Sequence, residues 1–129
     1  MSNRPSMAFI AVSWSVLCAG ALAYLIGLWN ADMIVSEKAT FFTLLMFGLF
    51  AAVSVQKSVR DREEGVPVTD TYYGISWVAA IMAIILLTVT LWGANFTLSE
   101  KGFYAMAYTL SIFSAITVQK NTRDLERRE

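Results

Sequence analysis

Histidine is missing from these 129 residues, cysteine occurs once, proline twice, and only 16% of the side chains carry charge. Each shortage excludes something. Without histidine and with a single thiol, the ordinary tetrahedral zinc sets have no ligands. Cys18 has no partner for an internal disulfide and reads as an inert thiol facing lipid or core. No glycine-rich phosphate loop occurs, and ten Lys and Arg balance ten Asp and Glu. No overall positive field is therefore available to hold nucleic acid. An average soluble domain devotes about 25% of its residues to charge and about 45–50% to apolar side chains. Here 57% are apolar, too many for a fold whose surface meets water.

The charges are also clustered. Residues 7–29 and 71–99 form uncharged stretches of 23 and 29 residues, and residues 39–56 and 102–119 form two more of 18 each. About 20 apolar residues of helix cross a hydrocarbon core of about 30 Å. The two short stretches reach across if Lys38, Lys57, Lys101 and Lys120 snorkel at their ends. In hydrocarbon every backbone N–H and C=O must be paired, which selects helices, and no alternating barrel pattern is present. The expected spans are 7–29, 39–57, 72–95 and 102–120. The first is too long for a signal-peptide core. Ser15-Val16-Leu17-Cys18 places bulky Leu17 where a lipoprotein cleavage box needs a small residue.

Orientation follows from basic flanks. Arg4, Lys57, Arg60, Arg62, Lys120, Arg123, Arg127 and Arg128 share one side of a four-span chain, against Lys38 and Lys101 on the other. Positive charge concentrates on the cytoplasmic side, so both termini are expected there. Trp29, Trp92, Phe103 and Tyr104 then mark the outer interface, and Tyr72 and Tyr73 the inner one.

The sequence also repeats. Shifted by 63 residues without a gap, residues 28–61 align with 91–124 at 13 identities in 34 positions. Leu28-Trp29, Ser36-Glu37-Lys38 and Val55-Gln56-Lys57 with Arg60-Asp61 recur as Leu91-Trp92, Ser99-Glu100-Lys101 and Val118-Gln119-Lys120 with Arg123-Asp124. The expected architecture is an all-α integral membrane protein with four transmembrane helices. It consists of two parallel-repeat helical hairpins, residues 1–64 and 65–129, joined by a polar hinge at 61–68. Parallel repeats place a pseudo-twofold axis along the membrane normal.

This doubled pattern of S-E-K before a helix and V-Q-K-x-x-R-D at its end resembles the YiaA/YiaB two-helix-domain family of bacterial inner-membrane proteins. The resemblance spans roughly residues 7–125. It implies a small four-helix protein of the bacterial inner membrane with no established activity, so it supplies no catalytic or ligand residues.

Within V-Q-K-x-x-R-D, Lys57 meets Asp61 and Lys120 meets Asp124 one helical turn away. The plainer reading is a helix end at the headgroup level, where cations suit the terminal carbonyls. The sharper one makes Lys57, Arg60, Lys120 and Arg123 a basic ring for anionic lipid headgroups or a partner's acidic segment. Ser36 and Ser99 are expected as helix caps. Asp32, Glu37 and Glu100 share the outer face without the spacing of a metal loop.

Small residues give packing expectations. Ala11, Ser15, Ala19, Ala23 and Gly27 recur every four residues, and Gly48 and Ala52 correspond to Ser111 and Ala115, with Ala107 extending the second row. Such stripes let helices approach closely, within the chain or between copies.

No expected span holds Asp, Glu, Lys, Arg or His near its centre. Proton-coupled transporters usually keep one despite a cost of about 2.5–3.5 kcal/mol, and intramembrane hydrolysis lacks an acid–base set beside Ser or Cys. The expectation is a non-enzymatic structural or accessory membrane component without cofactor. It would contact lipid and either itself or another membrane protein. The alternative is a small oligomeric transporter or channel lined by Ser, Thr, Gln56 and Gln119.

Overall fold

A computed structural model describes residues 4–126. Arg127 and Arg128, counted with the basic flanks, lie outside the described residues. The described chain forms α1 Met7–Asn30, α2 Val35–Glu63, α3 Asp70–Trp92 and α4 Leu98–Glu126.

Local chemistry sets the ends of these helices. Ser6 Oγ accepts from the Phe9 N–H and Thr69 Oγ1 from the Tyr72 N–H, both at 3.1 Å, so α1 and α3 start with equivalent hydroxyl caps. The caps expected at Ser36 and Ser99 are corrected. Ser36 lies inside the first turn of α2, whose cap position is Ile34. On α4, Thr97 Oγ1 accepts from the Glu100 N–H at 3.2 Å while Glu100 Oε1 accepts from the Thr97 N–H at 2.9 Å. That capping box needs a hydroxyl three residues before the glutamate, a spacing Thr97 has and Ser99 lacks. At the other end of α2, Val66 N–H donates to Asp61 O at 2.8 Å and Gly65 N–H to Arg62 O at 3.3 Å. Gly65, at φ 77°, supplies the left-handed turn this ending requires, and Pro67 follows it.

The helix boundaries differ from the expected spans: α2 and α4 start four residues earlier and end six later. α3 stops at Trp92 rather than 95, and residues 61–63 of the expected hinge are helical. α2 and α4 each have 29 residues, about 43 Å at 1.5 Å per residue. Both outrun a core of about 30 Å, so the charged V-Q-K-x-x-R-D turns extend beyond the apolar stretch as helix.

The hairpin is the unit of sequence but not of packing. α1 lies along α4, α3 lies along α2, and α2 and α4 form the central pair; α1 with α2, and α3 with α4, share few contacts. Exchanging the units maps α1 on α4 onto α3 on α2, so each repeat's first helix packs on the other repeat's second helix. α2 and α4 run parallel, with the Tyr108 hydroxyl donating to Leu44 O at 2.8 Å. α1 runs antiparallel to α4, as Ser13 beside Asn121 and Gly20 beside Ser111 show.

The core gathers Tyr24, Phe41, Leu45, Leu87, Tyr104 and Tyr108. Tyr24 meets Tyr104 edge to face at 5.6 Å between ring centres, a favourable quadrupole geometry. Its hydroxyl donates to Phe41 O at 2.8 Å, so the buried polar tip is satisfied. Around this core Leu22, Ile26, Phe50, Ile81, Met106 and Phe113 are exposed. A belt of large apolar side chains turned outward is what a hydrocarbon solvent selects. α1, α2 and α3 are long and apolar enough to cross a membrane. α4 is not among them; it spends positions on buried Tyr104, Tyr108, Ser111, Ser114 and Asn121 that face its neighbours.

Candidate functional site

The repeated charged motifs meet where α2 and α4 emerge side by side. Lys57 Nζ lies 2.8 Å from Asp61 Oδ2, and Lys120 Nζ lies 2.9 Å from Asp124 Oδ2. These are the two one-turn pairs that the spacing predicts. The cross-unit contacts are new: Arg60 pairs with Asp124 and Arg123 with Asp61. Arg60 Nε also donates to Glu64 Oε2 at 2.7 Å, and Arg123 reaches Glu64 Oε1 at 3.2 Å. Four cations thus share three carboxylates in one reciprocal network, and Glu64 is its asymmetric member.

The four basic residues divide into two kinds. The Arg60 and Arg123 side chains are 10% and 16% exposed, whereas those of Lys57 and Lys120 are both 53% exposed. The arginines face inward across the unit boundary, and the lysines present half their surface outward. Burial favours the neutral Asp61 and Asp124 carboxyls. Hydrogen bonds from Lys57 and Arg123 to the first, and from Lys120 and Arg60 to the second, outweigh burial and hold both below the usual carboxylate range. Burial likewise opposes the charged Arg60 guanidinium, but its bonds to Asp124 and Glu64 push its pKa upward. For Arg123 the bond to Asp61 is the main cause of the same upward shift.

The S-E-K motif acts at the opposite end. Lys38 Nζ donates to Trp29 O and Lys101 Nζ to Trp92 O, both at 2.9 Å. Each ammonium satisfies a terminal carbonyl of its unit's first helix and lies over that tryptophan ring, 6.0 and 5.6 Å from the ring centres. The repeat therefore encodes one clamp within each unit and one between units. Among the described residues no group of His, Cys, Asp and Glu is placed to hold a metal ion.

The small residues are placed unevenly. Gly48, Ala52, Ala107, Ser111 and Ala115 are buried, while on α1 Ala23 and Gly27 are half-buried and Ala11, Ser15 and Ala19 face outward. A strict four-residue step drifts about 40° around the helix each time, so the stripe winds off the packed face. The seam on α1 instead follows Ser13, Gly20, Tyr24 and Leu28. Cys18 is exposed.

The sequence profile of the yiaA/B two helix domain matches twice, at residues 9–61 and 72–124, with the same 63-residue offset as the internal repeat. Inner membrane protein YiaA of Escherichia coli (strain K12) is 51% identical over 119 residues, covering 92% of this chain and 82% of that protein. No solved structure matches. On a doubled domain match and half-identity over nearly its whole length, the chain belongs to the YiaA/B two-helix-domain family of inner-membrane proteins.

Proposed function

We propose that the protein crosses the inner membrane four times with both ends in the cytoplasm, as a non-catalytic accessory component whose inner rim engages anionic lipid headgroups. Three helices have the length and hydropathy of spans. The fourth crossing is supported by α4 lying antiparallel along α1 and parallel to α2, which carries its ends to the same depths. The orientation rests on the basic flanks.

The observation that carries the lipid reading is the division of labour in the charge network. The buried arginines tie the units together and hold the carboxylates, leaving Lys57 and Lys120 half-exposed at headgroup depth. An ammonium has three donors, so each lysine keeps capacity for a lipid phosphate while bonded to its aspartate. The Ser13, Ser58, Ser111 and Ser114 hydroxyls donate to carbonyls of their own helices, which supports packing rather than a polar path.

The test is native mass spectrometry of protein extracted in mild detergent. Lys57→Gln with Lys120→Gln removes two half-exposed pairs worth about 0.3–0.5 kcal/mol each, so folding should persist while retained anionic lipid falls several-fold. Unchanged lipid retention contradicts the lipid reading. Solute or ion flux above empty vesicles after reconstitution contradicts the accessory reading.

A further inference from the structure

The two units differ in the side chains they place between their own pair of helices. Between α3 and α4 lies a cavity of about 510 Å³, walled by apolar Ile84, Leu87, Leu91, Ile112 and Phe113, with Lys101 and Trp92 at its mouth. At an offset of 63 residues its lining differs from the first unit in both directions, Ile84 and Tyr108 standing where the first unit has the smaller Ala21 and Leu45. Ala105, Thr109 and Thr88 line it where the first unit has Phe42, Met46 and Leu25. These three exchanges each replace a larger apolar side chain by a smaller one and widen the groove on its outer side.

The groove has the dimensions and polarity of half a membrane. From Ile84 to Trp92 is eight residues, about 12 Å of helix, against about 15 Å for one leaflet of a 30 Å core. Its walls are mostly apolar up to the level of Trp92, the Thr88 hydroxyl being spent on Ile84 O at 2.8 Å, and one cation, Lys101, lines its Trp92 end. Lys101 gives one hydrogen to Trp92 O and has two more. The neighbouring Glu100 carboxylate is engaged by the Thr97 N–H in the capping box.

We infer that this groove holds one acyl chain of a phospholipid from the leaflet on the Trp92 side, with the lipid phosphate on Lys101. The charge complementarity of a single ammonium at headgroup depth, above a slot one leaflet deep, selects a phospholipid over a second copy of the chain. This site lies at the opposite end of the molecule from the Lys57 and Lys120 rim and does not depend on it.

The test uses the full-length protein in vesicles of phosphatidylethanolamine and phosphatidylglycerol carrying a trace of phospholipid with a photoreactive acyl chain. Cross-links should concentrate on residues 84–92 and 102–113 at least threefold over the equivalent residues 21–29 and 39–50. Ala105→Phe with Thr109→Met, which restores side chains of the first unit's size, should remove that excess at unchanged thermal midpoint. Lys101→Gln should reduce it independently. An even spread of cross-links over both units overturns the proposal, as does an excess that survives both variants. A dimer in native mass spectrometry that the groove-filling variant dissolves would assign the groove to a second copy and overturn it as well.

Discussion

Asp124 shows how one carboxylate serves two roles. It receives Lys120 from its own helix and Arg60 from the other unit, and its side chain is only 5% exposed. Removing its charge leaves a largely buried guanidinium with fewer partners, a cost between that of an exposed pair and that of a fully buried one. Asp124→Asn should therefore lower stability by about 2–3 kcal/mol, read as a fall in the detergent thermal midpoint, with Asp61→Asn similar by symmetry. Because both carboxyl pKa values are depressed on folding, their contribution is complete above the unfolded Asp value of about 3.9. It is lost as pH falls below that value toward the folded pKa values. The midpoint should hold between pH 7 and pH 5 and drop near pH 3, and both Asn variants should show a smaller drop. The Lys–Asp pairs were legible from a four-residue spacing. The Arg60–Asp124 and Arg123–Asp61 pairs were not, because pairing across units depends on which helices lie adjacent. The available signal was the doubled R-D itself, placed at equal depth on two parallel helices.

At the scale of the helix, the existence of all four elements was readable from uncharged stretches alone, since hydrocarbon leaves the backbone no alternative. The packed face was not. Among apolar side chains surrounded by lipid, hydropathy does not distinguish a seam from an outer surface, and α1 placed Ala11, Ser15 and Ala19 of its evenly spaced small residues outward. Its tight contact with neighbouring backbone is at Gly20, where an added Cβ would stand 3.0 Å from Ser111 Oγ and 3.2 Å from the Ser111 backbone nitrogen; at Gly27 it would meet the Phe103 ring at 2.7 Å. Gly20→Leu should push α1 off α4, costing at least about 1–3 kcal/mol, whereas Ala19→Leu on the outward face should change the thermal midpoint little. Equal effects from the two substitutions would contradict this placement of the seam. Helix ends also outran the apolar stretches, because the charged turns of α2 and α4 are held as helix by their ion pairs rather than by lipid.

For the molecule as a whole, the repeat announced duplication but not intertwining. A hairpin reading pairs α1 with α2; the structure pairs each unit's first helix with the other unit's second. Packing of this kind makes the two halves mutually dependent: neither has its main helix–helix contact without the other. The polar residues of α4 follow from the same arrangement, since a helix held against both α1 and α2 faces protein over much of its surface. α2 is packed on two sides as well yet stays more apolar, because it has Phe41, Leu45, Gly48 and Ala51 where α4 has Tyr104, Tyr108, Ser111 and Ser114. The account's central claim is that α4 nevertheless completes a fourth crossing. The direct measurement is cysteine accessibility in intact cells with a membrane-impermeant maleimide, in a Cys18→Ser background carrying Met33→Cys, Val66→Cys or Asn95→Cys one at a time, together with a reporter fused after residue 129. Four crossings with cytoplasmic ends predict that positions 33 and 95 are labelled while 66 is protected until the cells are opened, and that the reporter is cytoplasmic. Labelling at 95 together with a reporter on the outer side would leave three crossings and contradict the claim.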